Sequence, residues 1–174
     1  MNYSKVAPAV AAAFFGISAF AQSGPSDPQI AGIVVTANAI DIDAGKLAKS
    51  HTKNKEVSKF AQLMITDHTA VNKQAGALAK KLGVKPADSD TSKSLKAGAA
   101  DNMKNLKGLK GAAFDKAYVD HEVAYHQQVL DAIDKVLIPS AQNAELKDLI
   151  VKVRPAIAAH LDHAKMVQSD LAKK

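Results

Sequence analysis

Between Val57 and Leu82 apolar residues recur in steps of three and four. Val57, Ala61, Met64, Val71, Ala75, Leu78 and Leu82 share one face of a helix, and His68 falls in the middle of that face with Asp67 directly before it. This period belongs to an α-helix with one buried side. At about 1.5 Å of rise per residue such a helix runs for roughly 40 Å, so its stripe needs partners of similar length. The chain must therefore supply other long helices, and one of the buried positions must accommodate an imidazole.

Three further segments carry matching patterns. A first helix is expected from Pro28 to His51, started by Asp27-Pro28, with Ile30, Val34, Ala37, Asp41, Ala44 and Ala48 on its inner face and Ile33, Ile40 and Leu47 widening it. The second runs from about Lys55 to Leu82 and stops at Gly83, a C-cap signal. After the loop "VKPADSDTS", Ser92 to Lys107 reads as a short, weakly amphipathic helix inside a long connection that "GLKG" closes. Another long helix, about Ala112 to Ile138, ends at Pro139, and the last begins near Asn143. Pro155 lies inside that last helix and should kink it or split off its first turns. No strand pattern competes. A composition that is 47% hydrophobic but only 5% aromatic suits helices. Two long helices joined by a tight turn, a long crossover, and two more joined by a tight turn predict an all-α, ferritin-like four-helix bundle. The crossover contains the short extra helix.

The N-terminal stretch "MNYSKVAPAVAAAFFGISAFAQSG" has Lys5, an apolar run from Val6 to Phe20, and Ala19-Phe20-Ala21 in the A-x-A pattern of a secretory cleavage site. The run is shorter than the roughly twenty apolar residues that span a membrane, and Pro8 interrupts it. The expected organisation is a signal peptide over 1–21, a linker over 22–28 and the bundle over 29–174, with the mature protein in the periplasm or secreted and no transmembrane helix in it. No cysteine occurs, which removes disulfides, lipid attachment and thiolate metal ligands. Loss of the leader, which holds Lys5 and no acid, takes the net charge from +6 to +5. That balance does not make a nucleic-acid protein. Arg154 is the one arginine, no aromatic residues alternate with the lysines, and Lys46, Lys49, Lys53, Lys55, Lys59 and Lys73 are spaced as a solvated helix surface.

Continuing the inner faces through all four long helices brings a polar group to each: Asp41, His68, Glu122 with His126, and His160. Counting 1.5 Å per residue from the helix ends sets all five near mid-bundle, with His160 closer to Glu122 than to His126. Tyr118 and Tyr125 flank the third long helix's stripe, while His121 and His163 point aside. Carboxylates and imidazoles without sulfur suit zinc, copper, iron or manganese, so His68, Glu122, His126, His160 and Asp41 are the candidate ligands of a metal ion or a small ligand. The competing expectation is a hydrogen-bond network in which Asp–His and Glu–His pairs satisfy each other. Asp67 and Asn72 read as bonds to neighbouring helices. No nucleophilic triad, phosphate loop or G-x-S-x-G pattern indicates an enzyme.

Three segments, "VSKFAQLMITDHTAVN", "FDKAYVDHEVAYHQQVL" and "PAIAAHLDHA", resemble the exported bacterial domain-of-unknown-function family 4142, a ferritin-like group. The resemblance implies an exported four-helix protein without an established reaction. Its characteristic positions fall here on Asp67, His68, Asn72, Phe114, Asp115, Tyr118, His126, Pro155 and His160. Di-iron proteins of this architecture use a Glu from two helices and Glu-x-x-His from the other two. Here Ile65 and Ile157 stand three residues before His68 and His160, so two bridging carboxylates are missing and an iron oxidase or storage centre is not expected. The function classes that remain are a periplasmic protein holding a metal or small ligand in its polar cluster, and a non-catalytic structural, stress-related or interaction protein.

Overall fold

The computed structural model describes residues 24–173, which are almost entirely helical and contain no strand. The expected leader over 1–21 and residues 22 and 23 of the expected linker lie outside them. Helix α1 spans Asp27–His51, α2 Lys55–Leu82, α3 Asp90–Lys107 and α4 Gly111–Ala132; a π-helical turn Ile133–Leu137 continues α4 into the short α5, Ile138–Ser140, and α6 spans Ala144–Leu171.

Local chemistry sets most of these ends. Asn54 caps α2 by accepting from the N–H groups of Glu56 and Val57, at 2.9 and 3.3 Å. Asn143 does the same for α6 through Leu146 N–H at 3.1 Å. Gly83 ends α2 in the left-handed region at φ 65°, where a residue without Cβ is unstrained. Helix α3 starts two residues earlier than its apolar pattern suggests, because Ser89 and Ser92 cap each other reciprocally. The carboxylate of Asp27 accepts from Gln142 and Asn143 N–H, both at 2.9 Å, and ties the start of α1 to the start of α6.

Two sequence expectations are corrected. Pro139 does not simply end the third long helix. The helix widens into the π turn first and continues through Pro139 to Ser140. Pro155 splits nothing off, since α6 runs through it as one helix. The carbonyl that Pro155 deprives of a partner belongs to Val151, which is 48% exposed and open to water.

Each of the four long helices packs on two others: α1 on α2 and α4, and α6 on α2 and α4. The three-residue turn between α1 and α2 makes that pair antiparallel, and the short connection after α4 does the same for α4 and α6. Helix α3 belongs to the crossover and lies against α1 and α4. The crossover passes so close to α1 that a Cβ on Gly32 would meet the Ala87 carbonyl oxygen at 2.0 Å, and Ala87 N–H donates to Pro28 O at 2.9 Å.

The interior is divided. One apolar cluster gathers Phe60, Met64, Leu106, Phe114, Tyr118 and Val167; another gathers Ile30, Leu130, Ile133, Leu146, Ile150 and Ile157. Asn38, Asp41, His68, Glu122, His126 and His160 are buried near where the two meet, whereas Asp115 is buried within the first. Among the described residues no helix is long and apolar enough to cross a membrane.

Candidate metal centre

The polar layer contains Asn38 and Asp41 from α1, His68 from α2, Glu122 and His126 from α4, and His160 from α6, each no more than 5% exposed. Five of these are the residues predicted from the helix stripes, and the structure brings them together. The rings of His68, His126 and His160 form a triangle with centroids 5.2 to 5.7 Å apart. Their candidate ligand atoms lie within 4.8 Å of one another, and a second set, Asp41, Glu122 and His126, meets the same limit.

Each imidazole has one nitrogen committed outward. His68 Nδ1 bonds Asn38 Oδ1 at 2.7 Å, and the amide of Asn38 donates in turn to Val34 O at 2.8 Å, so Oδ1 is the acceptor and Nδ1 carries the proton. His126 Nδ1 donates to the Glu122 carbonyl one turn back, at 2.9 Å. His160 Nε2 donates to Asp67 Oδ2 at 2.9 Å. The remaining nitrogens, Nε2 of His68, Nε2 of His126 and Nδ1 of His160, are buried with no hydrogen-bond partner among the described residues. Asp41 Oδ2 is 3.4 Å from His68 Nε2, too poorly aligned to bond it. With the other nitrogen protonated, each of the three must carry its lone pair into the interior.

Electrostatics keep those lone pairs available. Burial, with the neighbouring imidazoles adding to it, pushes the pKa of His68 down to about 3; burial does the same to His126, to about 4. Both rings are therefore neutral at pH 7. The carboxyls move the other way. Burial and then the adjacent Glu122 raise Asp41 well above the usual carboxylate range. Glu122 is pushed up to about 8 by burial, although Asp41 and Tyr118 pull it down. Neither oxygen of Glu122 nor the Tyr118 hydroxyl makes a well-aligned hydrogen bond.

A network that satisfied itself would not leave three imidazole nitrogens without partners, because each buried orphan costs about 1–3 kcal/mol. A cation would accept all of these donors. The outward bonds of the imidazoles, to an amide, a carbonyl and a carboxylate, match the outer-shell partners that fix metal-binding histidines. Metal–nitrogen bonds of about 2.0–2.1 Å would draw the triad inward by roughly an ångström.

The ring of His160 lies edge-on to that of His126, with centroids 5.5 Å apart. Asn38 was missed, although it stands three residues before Asp41 and so shares its face. Asp67 and Asn72 do bond neighbouring helices, the second by donating to Val35 O at 3.4 Å. His121 stacks on Tyr125 and His163 lies edge-on to Phe60, both outside the triad. Asp115 lines a different feature, a cleft of about 1110 Å³ at the His51 end with Lys53, Lys110, Lys116 and Lys165 around it. That cleft touches none of the triad.

The family described as a domain of unknown function (DUF4142) matches the chain over residues 16–167. No curated protein and no solved structure matches it.

Proposed function

The chain belongs to the DUF4142 family, a domain of unknown function, and from that membership and the buried cluster we propose that it is an exported, metal-binding helical protein. One transition-metal ion is held by His68 Nε2, His126 Nε2 and His160 Nδ1, with Glu122 and Asp41 as adjoining carboxylates. The observation that carries this reading is the set of three inward lone pairs, each on a ring whose other nitrogen is already fixed. Nitrogen and oxygen donors without sulfur suit zinc, copper, iron or manganese.

The four long helices and their crossover support a ferritin-like four-helix bundle over 29–174, entered from a linker over 22–28. The A-x-A pattern ending at Ala21 supports cleavage of a leader over 1–21 and residence in the periplasm or beyond. The metal site differs from a di-iron centre in offering one Glu and one Asp in place of four glutamates, which favours binding over oxidation.

Elemental analysis of the mature protein, purified without a histidine tag, tests the reading. One equivalent of metal is expected, falling below a tenth of an equivalent in His68→Ala and His160→Ala. A second reading has one specific support: the Asn38–His68 and Asp67–His160 bonds cross between helices and would fix helix register with no metal at all. On that reading the same variants lose thermal stability, and added metal changes nothing.

A further inference from the structure

One helical turn from the triad, each helix contributes a residue to a single cavity of about 90 Å³. Val71 follows His68 by three positions and Val129 follows His126 by three; Ile157 precedes His160 by three, and Asn38 precedes Asp41 by three. The signs alternate as the antiparallel chain directions require, so all four offsets lead to the same side of the polar layer. Three residues of helix rise about 4.5 Å. The cavity therefore lies about one helical turn from the triad; none of the three histidines lines it, and Asn38, which bonds His68, is the residue the two share.

Its wall is apolar except for three side chains. Thr91 and Gln128 are exposed, and Val34, Val71, Leu95, Val129 and Val153 are half-buried, so the cavity is open to the surface on that side. Its buried floor is Ile33, Ile133, Leu137, Ile150 and Ile157. The oxygen and nitrogen of Asn38 are already engaged, with His68 and with Val34 O. A buried water needs two to four polar partners, and the inner wall does not supply them. The π turn forms another part of the lining through Ile133 and Leu137; such turns recur at functional positions in helices.

We propose that this cavity binds a small, uncharged, apolar molecule, of the size of a noble-gas atom or a diatomic gas, beside the imidazole triad. Aliphatic cavities of about 150 Å³ stay dry and take benzene or xenon. The smaller volume here suits the smaller guest. The binding itself does not depend on metal; only its consequence, a guest held beside a metal-bound triad, rests on the proposed function.

Xenon is the probe. Metal-free mature protein, crystallised and pressurised with xenon, should show a xenon atom bordered by Val71, Val129 and Ile157, and xenon NMR should show exchange with the same protein in solution. Val129→Phe and, separately, Leu95→Phe fill the cavity and should abolish both signals, so a folding failure in one leaves the other to decide. Ordered water in the cavity, no xenon there, or a xenon site that survives both substitutions would overturn the proposal. Because metal-free protein is used, that failure leaves the metal reading standing, and a failure to bind metal leaves the xenon result standing.

Discussion

Asp67 on α2 accepts a hydrogen bond from His160 Nε2 on α6 at 2.9 Å, which leaves Nδ1 as the nitrogen that His160 offers to His68 and His126. The side chain of Asp67 is 39% exposed while that of His160 is 5% exposed, so the contact links the surface to the buried triad. A carboxylate in this position fixes the tautomer and the ring's orientation.

Removing that anchor should weaken metal binding without unfolding the protein. Asp67→Ala, and by the same reasoning Asn38→Ala, are expected to lower metal affinity by about 10- to 100-fold. Competition with a chromophoric chelator measures this directly, and circular dichroism confirms that the helices persist.

The buried titrating groups make a signed prediction for metal-free protein. Glu122 ionises near pH 4.5 when unfolded and near 8 when folded, so the folded state holds the extra proton and stability falls as pH rises through that window. His68 and His126 ionise near 6.5 unfolded but at about 3 and about 4 folded; their contribution is complete above pH 6.5 and is lost as pH falls towards those values. From pH 4.5 to 6.5 the two effects oppose each other. From 6.5 to 8 the carboxyl pair alone acts, Asp41 being raised by burial and by Glu122 in the same direction, and stability should drop as pH rises. Thermal melts across that range should show the drop in wild type and a flatter profile in Glu122→Gln.

Metal binding at pH 7 should displace a proton from the carboxyl pair, because the two imidazoles are already deprotonated at their inward nitrogens and Glu122 still holds its proton. Calorimetric titrations in buffers of different ionisation enthalpy should return about one proton released per metal. In Glu122→Gln the release should shrink towards zero. No release in wild type would limit coordination to the three imidazoles.

The crossover's passage over α1 depends on Gly32, where a Cβ would fall 2.0 Å from the Ala87 oxygen. Gly32→Ala should therefore cost about 1–3 kcal/mol despite its gain in helix propensity. Melting gives the cost, and hydrogen exchange should show lost protection at Ala87 N–H, which bonds Pro28 O.

The long helices are legible in the sequence because their apolar period persists over many turns, and Gly83 and Asn54 mark their ends in ways that local chemistry enforces. The inner positions of Asp41, His68, Glu122, His126 and His160 follow from the same period. What stays hidden depends on contacts between segments. The π turn after Ala132 has no residue signature in "IDKVL". Asn38 is polar on an otherwise apolar stripe, yet only the position of His68 across the α1–α2 interface gives it a role.

The most direct test of the metal centre is anomalous scattering at the zinc edge from crystals of the mature protein loaded with one equivalent of zinc. The expected result is one strong peak about 2.0–2.1 Å from His68 Nε2, His126 Nε2 and His160 Nδ1. A peak confined to surface histidines such as His51, or no peak in the polar layer, would contradict it and leave the cluster as a device for fixing helix register.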